Sequence, residues 1–257
     1  MLTIVPFLTA QIIAAVYPLC FWISIDDPLK SGFHRFHLGM PLFLAGIVFF
    51  SSFWMPLSQT TQFLLGIWTG TSALIAFVFW KRDFPRPAFV TLPALLGMIA
   101  YAFLTADLVV PDPRLIAAGI LAGLILSVSL YAMNLGHWYL NVHGLSLSHL
   151  RRSVCVFWSL ILIRFLLDIV FLLKGKVLYL GSLISCYRFV WSIEGIFLIL
   201  AFFFGVLLPL GCLYFVRETI RLKNTQSATG ILYVILAAVL LGDLAYKYYW
   251  LNYQLPL

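Results

Sequence analysis

The chain has 257 residues, of which 63% are hydrophobic and only 10% are charged, and its mean hydropathy is +1.04. This composition excludes a soluble domain, because the surface of a soluble domain of this length needs far more charge. The formal net charge of +7 comes from basic residues scattered over short loops, which indicates membrane topology and not nucleic-acid binding. The sequence therefore predicts a single integral membrane domain over residues 1–257.

Eight apolar runs are each long enough to cross a bilayer, since a transmembrane helix needs about 20 apolar residues. The runs cover residues 3–24, 37–57, 61–80, 88–108, 115–137, 153–173, 183–215 and 228–251. The first run has no basic segment before it and no small-residue cleavage site after it, so we interpret it as a span and not as a signal peptide. The predicted fold is all-α: a polytopic transmembrane helical bundle of about eight spans.

The seventh run is longer than one span requires. Either this helix tilts, or Gly205 and Pro209 kink it. The stretch from Val177 to Ser185 can also form a short re-entrant or interfacial piece before the span. The sequence leaves these alternatives open.

The basic residues predict an orientation. The loops after spans one, three, five and seven hold Lys30, Arg35, Lys81, Arg82, Arg86, Arg151, Arg152, Arg217, Arg221 and Lys223. The opposite face holds only Arg114, Lys174 and Lys176. By the positive-inside rule the first group is cytoplasmic, so we expect both termini on the non-cytoplasmic side of the inner membrane of a prokaryote.

Six ionisable residues fall inside the last three predicted spans: Arg164, Asp168, Arg188, Glu194, Asp243 and Lys247. A charge in hydrocarbon costs several kcal/mol unless it finds a partner or water. Arg164 and Asp168 are spaced i, i+4, as are Asp243 and Lys247, so each pair shares one face of its helix. Arg188 and Glu194 are expected to find partners on other helices. We predict a polar centre between spans six, seven and eight, displaced toward the outer face.

This polar centre indicates proton transfer, although ion pairs that only hold helices together have the same pattern. The candidate catalytic residues are the three acids Asp168, Glu194 and Asp243, which can carry protons. The candidate cofactor-binding residues on these spans are Arg164, Arg188 and Lys247. The charges of Arg164 and Arg188 can set the pKa values of the acids and orient a headgroup.

The five histidines lie toward the cytoplasmic side, at positions 34, 37, 137, 143 and 149. We include His137 among the cofactor-binding candidates, because Gly136 allows close approach and Trp138 and Tyr139 offer flat surfaces. The alternatives are an aromatic belt at the membrane interface or a loop that docks a partner. Haem b would need two facing histidines, such as His37 and His137, and is not favoured. The four cysteines include no C-x-x-C pair, so no metal site is predicted.

The last span reads Leu240-Leu-Gly-Asp-Leu-Ala-Tyr-Lys-Tyr-Tyr. It resembles the last helix of the NrfD-like membrane anchors of the DMSO-reductase and polysulfide-reductase type, in which a Gly-Glu is followed by an Arg four residues later. Asp243 and Lys247 would stand in the places of that acid and base. The number of spans and the outward termini are also similar to the eight-span DMSO-reductase anchor. The resemblance implies a helical bundle that passes electrons between the quinone pool and an iron–sulfur partner, with its quinone pocket toward the outer face.

The sequence thus predicts a membrane subunit of a respiratory or electron-transfer complex that binds menaquinone or ubiquinone. The subunit would couple quinone redox chemistry to proton uptake or release, while the redox metals belong to an iron–sulfur or cytochrome partner. It would not be an enzyme on its own. The alternatives are a small proton-coupled transporter and a structural or assembly subunit. The sequence does not distinguish the quinone, the partner or the direction of electron flow.

Overall fold

The fold is that of a computed structural model, which describes residues 3–24, 32–82, 86–109, 111–142 and 146–256. Lys30 and His143 lie outside these ranges. In chain order the helices are α1 (Ile4–Val16, continued by a 3₁₀ segment Tyr17–Ser24), α2 (Phe33–Ser52), α3 (Gln59–Phe79), α4 (Pro87–Leu108), α5 (Pro113–Asn141) and α6 (Ser148–Lys174). The strands β1 (Lys176–Tyr179) and β2 (Ser182–Ser185) follow, and then α7 (Cys186–Val190), α8 (Ile193–Phe202), a π-helical segment (Phe203–Leu207), α9 (Leu208–Arg221) and α10 (Thr225–Tyr253).

Eight helical segments within the described residues are long and apolar enough to cross a membrane, which confirms the predicted all-α architecture and the number of candidate spans. The seventh of them joins α8, the π-helical segment and α9 over Ile193–Arg221. Several helices extend beyond the predicted apolar runs. The clearest case is the pair α5 and α6, since α5 continues to Asn141 and α6 already begins at Ser148. Polar residues can continue a helix at the level of the lipid headgroups, where hydropathy no longer marks the span.

The start of the seventh span differs from the predicted run 183–215. Strands β1 and β2 form an antiparallel hairpin, whose turn at Leu180 and Gly181 has positive φ angles of 50° and 78°. The hairpin is followed by the short helix α7, and α8 begins only at Ile193. The Ser192 hydroxyl accepts a hydrogen bond from the Gly195 N–H at 3.0 Å and so caps α8. The predicted short piece before the span is therefore a hairpin followed by a separate helix.

The chain divides into two compact units, Leu2–Ser127 and Val128–Leu257, and α5 contributes to both. In the first unit, α1 packs against α2 and α4, and α3 packs against α2 and α4. The buried Gln11 side chain donates a hydrogen bond from Nε2 to the carbonyl oxygen of Gly97 at 2.9 Å, which ties α1 to α4. The Tyr17 hydroxyl lies 2.5 Å from His37 Nδ1, which ties the 3₁₀ segment to α2.

In the second unit, α10 packs along α8, the π-helical segment and α9, and α6 packs against α7 and α9. Buried apolar side chains line this packing; they include Phe157, Ile161, Leu213, Val216 and Ile235. The two long helices α6 and α10 are spans six and eight, so they cross the bundle in the same direction. This arrangement places their C-terminal halves on the side that carries the β-hairpin, which directly follows α6.

Close contact between α1, α3 and α4 depends on Gly97. A Cβ atom at this position would lie 2.6 Å from both Ala15 Cβ and Trp68 Nε1. We expect Gly97→Ala to lower the free energy of unfolding by roughly 1–3 kcal/mol, the usual cost of overpacking. The measurement is the thermal midpoint of unfolding of the purified chain in detergent, followed by tryptophan fluorescence.

Gly70 on α3 is the matched control, because a Cβ there meets nothing within 4 Å. Gly70→Ala is expected to leave the midpoint unchanged or to raise it slightly, since alanine favours a helix over glycine by about 1 kcal/mol. Equal midpoints for the two variants would contradict the packing.

Candidate functional site

Two ion pairs lie buried in the second unit, one on each of two long helices. Arg164 Nε donates to Asp168 Oδ1 at 2.8 Å within α6. Lys247 Nζ donates to Asp243 Oδ1 within α10. None of the four residues is more than 5% exposed. The predicted i, i+4 pairs are therefore confirmed, and each helix carries its own counter-charge.

Tyr246 on α10 contacts both members of the ion pair on α6. Its hydroxyl donates to Asp168 Oδ2 at 2.8 Å, so both oxygens of that carboxylate accept a hydrogen bond. Its ring lies under the Arg164 guanidinium, with Cζ 4.0 Å from the ring centroid, which is a cation–π contact. Asp243 and Lys247 are close enough for their charges to act on Arg164. We call these five residues the buried cluster: Arg164, Asp168, Asp243, Tyr246 and Lys247.

One hydrogen-bond donor of the buried cluster is unused. Arg164 Nη2 is buried and has no hydrogen-bond partner among the described residues. A guanidinium has five N–H donors in a fixed plane. A buried donor without a partner is unfavourable by about 1–3 kcal/mol, and more when it is charged. Arg164 Nη2 can therefore donate a hydrogen bond to a ligand oxygen.

The backbone around the cluster is shaped by two glycines. An added Cβ at Gly242 would overlap the backbone of Gly205, so α10 and the π-helical segment touch backbone to backbone. A Cβ at Gly205 would lie 2.9 Å from Tyr246 Cε2. The glycine pair thus makes room for the tyrosine ring. The π-helical segment Phe203–Leu207 is itself of interest, because π turns inside α-helices are frequent at functional sites.

The charges of the cluster sum to zero, since two cations, Arg164 and Lys247, face two anions, Asp168 and Asp243. Asp168 lies in the last two turns of α6, and Lys247 lies in the last two turns of α10. Arg164 and Asp243 lie closer to the helix midpoints, so the cluster occupies the C-terminal half of both helices. Carboxylates and a phenol linked by hydrogen bonds can pass a proton, and the guanidinium can hold a ligand oxygen.

Arg188 and Glu194 do not belong to the cluster, and this corrects the prediction that they lie in the polar centre. Both are exposed in the structure. Arg188 lies on α7, before the seventh span begins. Glu194 lies in the first turn of α8, where the helix dipole favours a carboxylate, and its Oε2 accepts a hydrogen bond from the Tyr179 hydroxyl at 2.5 Å. This hydrogen bond raises the pKa of the Tyr179 phenol.

His137 is also apart from the cluster. It lies on α5 with an exposed side chain. Its carbonyl oxygen accepts a hydrogen bond from Asn141 Nδ2 at 3.1 Å. His37 belongs to the other compact unit, Leu2–Ser127. Among the described residues no group of three or more His, Cys, Asp or Glu side chains could hold a metal ion. Burial raises the pKa of the Cys186 thiol to about 11, which makes it unreactive at neutral pH.

Tyr246 is the residue that the sequence analysis missed. The signal was present, because Tyr246 stands between Asp243 and Lys247 in the last span and lies three residues after the acid. The chain has 12 tyrosines, and the contacts of the Tyr246 side chain with Arg164 and Asp168 on α6 distinguish this one. The contact between Gly205 and Gly242 was missed for the same reason, since Gly205 by itself indicated only a kink.

Comparison with known proteins found nothing similar: the chain matches no protein-family model, no curated protein and no solved structure. The geometry of the cluster is therefore the basis for any statement about function.

The buried pair of α6 makes a prediction about stability. Asp168→Asn leaves Arg164 buried without its counter-charge, so we expect a loss of roughly 3–5 kcal/mol in the free energy of unfolding. Replacing both partners, as in Arg164→Met with Asp168→Leu, is expected to lose much less, because no charge then stays unpaired. Thermal unfolding in detergent measures both variants.

The control is the exposed ion pair between Arg114 and Asp112, whose N–O distance is also 2.8 Å. Asp112→Asn is expected to change the free energy of unfolding by about 0–1 kcal/mol, as for other surface pairs. A single Asp168→Asn variant as stable as the parent chain would show that the carboxylate does not balance a buried charge.

Proposed function

We propose that this protein is the membrane subunit of an electron-transfer complex and that the buried cluster binds the headgroup of a quinone. The observation that carries the proposal is the buried Arg164 guanidinium, which has an unused Nη2 donor beside Asp168 and Tyr246. A ring carbonyl is an acceptor that suits this donor. Ubiquinone and menaquinone share the two ring carbonyls, so the cluster is suited to either.

The residues of the cluster can be given roles on this proposal. Arg164 orients one quinone oxygen through Nη2. Asp168 accepts a proton when quinol is oxidised, and Tyr246, which already donates to Asp168, extends the path. Asp243 accepts the second proton, and Lys247 stabilises the carboxylate. The quinone supplies two-electron, two-proton chemistry, and its electrons pass to an iron–sulfur or cytochrome subunit.

The position of the cluster fits this role. The basic loops predict that both termini face away from the cytoplasm. The C-terminal ends of α6 and α10 would then lie at the outer face of the inner membrane of a prokaryote. Protons released at the cluster would then pass into the compartment on the outer side of the membrane. The resemblance of the last span to the NrfD-like anchors rests on Asp243 and Lys247, which are two members of the cluster.

A proton-coupled transporter is the second candidate, and the π-helical segment favours it. Transporters often use interrupted helices near their binding sites, and Phe203–Leu207 interrupts the seventh span beside Gly242 and Tyr246. A purely structural cluster is the third candidate, since its charges are already paired within each helix.

The variant that separates these candidates is Arg164→Lys. It keeps the positive charge beside Asp168 but removes the planar guanidinium and its Nη2 donor. We expect the variant chain, purified from its native membrane with its partners, to lose about 10-fold or more in quinone affinity, because a hydrogen bond to a charged group contributes about 1.5–3 kcal/mol. The measurements are extracted quinone per chain and reduced-minus-oxidised spectra of the complex.

Arg114→Lys is the matched control, since Arg114 makes an exposed ion pair at a helix end far along the chain from the cluster residues. It should leave quinone content unchanged. A parent chain that carries no quinone and no redox partner would rule out the quinone proposal. Proton flux driven by a substrate in liposomes would then favour the transporter. Full activity in Arg164→Met with Asp168→Leu would indicate a structural cluster.

A further inference from the structure

A second site lies at the other end of α6, away from the buried cluster. A cavity of about 630 Å³ opens between α6 and α9. Its lining consists of Arg151, Val154, Cys155, Trp158, Arg217, Ile220 and Arg221. The α6 residues are spaced i, i+3, i+4 and i+7, and the α9 residues are spaced i, i+3 and i+4, so one face of each helix forms the walls.

The cavity is basic at its rim. Arg151 lies in the first turn of α6, and Arg217 and Arg221 lie in the last turns of α9. Arg221 makes an exposed ion pair with Glu218 at 3.1 Å. The side chains of Arg151 and Arg217 have no ion-pair partner within the described ranges. Two guanidinium groups at the rim are thus available to an anion.

The cavity is apolar farther in. Val154, Cys155 and Ile220 line its walls, and Trp158 lies about 10 Å along α6 from Arg151 at 1.5 Å per residue. The indole Nε1–H of Trp158 is buried and has no hydrogen-bond partner in the part of the chain that the structure describes. The lining therefore offers positive charge at one end, one unused donor farther along α6 and apolar side chains between them.

We infer that this cavity binds an anionic phospholipid of the cytoplasmic leaflet, with its phosphate between Arg151 and Arg217. Basic pockets between transmembrane helices on the cytoplasmic side are typical sites for anionic headgroups. The Trp158 N–H can donate to an ester oxygen of the lipid. The acyl chains then lie along the apolar walls of α6 and α9. A free phosphate could satisfy the arginines but would leave the indole donor and the apolar walls unfilled.

The test uses the full chain in detergent and native mass spectrometry. The probes are dioleoyl phosphatidylglycerol, dioleoyl phosphatidylcholine with the same acyl chains, and inorganic phosphate. We expect phosphatidylglycerol to bind more tightly than phosphatidylcholine. Arg151→Gln with Arg217→Gln should weaken phosphatidylglycerol by about 30-fold, which corresponds to about 2 kcal/mol for two arginines near an anionic headgroup. Trp158→Phe should weaken it by about fivefold, the effect of one hydrogen bond.

Two controls keep the result specific. Lys81→Gln with Arg82→Gln removes the same charge from exposed residues that follow α3 and do not line the cavity, and it should leave binding unchanged. Arg151→Lys with Arg217→Lys keeps the charge and should retain most of the binding, which also shows that substitution at these sites is compatible with folding. If the Lys81 and Arg82 variant lost as much phosphatidylglycerol binding as the Arg151→Gln with Arg217→Gln variant, the site would be overturned, because the loss would be a general effect of charge.

Cys155 gives a second readout, because it lines the cavity and is exposed, whereas Cys20 and Cys186 are buried. Phosphatidylglycerol should slow its alkylation by N-ethylmaleimide, with Cys155→Ser giving the background rate. Equal protection by phosphatidylcholine would overturn the anionic headgroup. Protection by inorganic phosphate alone, without an effect of lipid, would overturn the lipid and assign the arginines to a soluble anion.

Discussion

The cost of an unpaired charge in hydrocarbon is the constraint on which the second unit depends. Arg164 and Asp168 meet it within α6, and Asp243 and Lys247 meet it within α10. Because each pair is spaced i, i+4, each buried charge has its counter-charge on its own helix. The link through Tyr246 then needs only one hydrogen bond and one cation–π contact.

The Tyr246 ring can reach α6 only because α10 lies very close to the seventh span. Gly242 and Gly205 permit the approach, because neither has a side chain that would separate the two backbones. Small residues have this role in many transmembrane interfaces, where packing and not hydrophobicity drives association. The contact falls within the π-helical segment, whose wider turn changes the direction of the residues that follow. The irregular backbone thus lies beside Tyr246, where a ligand or a proton path would need room.

The apolar length of each run was enough to predict eight spans, because a bilayer sets one minimum length for all of them. The i, i+4 spacing was enough to predict both ion pairs. Hydropathy failed at 183–215, since an apolar hairpin and a helix have the same composition there. Gly181 and the capping residues Ser185 and Ser192 were the local signals of the breaks. Tyr246 and the arginine-lined cavity depend on which helix faces meet, and neighbouring positions in one sequence do not contain that information.

The same helix, α6, carries charge in two different ways, and the difference bears on what each end can bind. In its C-terminal half Arg164 is buried and paired with Asp168, and the cluster has no net charge. An ion entering there would need a counter-ion, whereas a neutral molecule with a carbonyl or hydroxyl oxygen would use the free Nη2 donor without disturbing the balance. Near its N-terminus Arg151 is exposed and lines, together with Arg217, a cavity with no acid in its lining. An anion there adds the missing charge. The two charge states therefore support the two proposals, a neutral quinone at the buried cluster and an anionic lipid at the cavity.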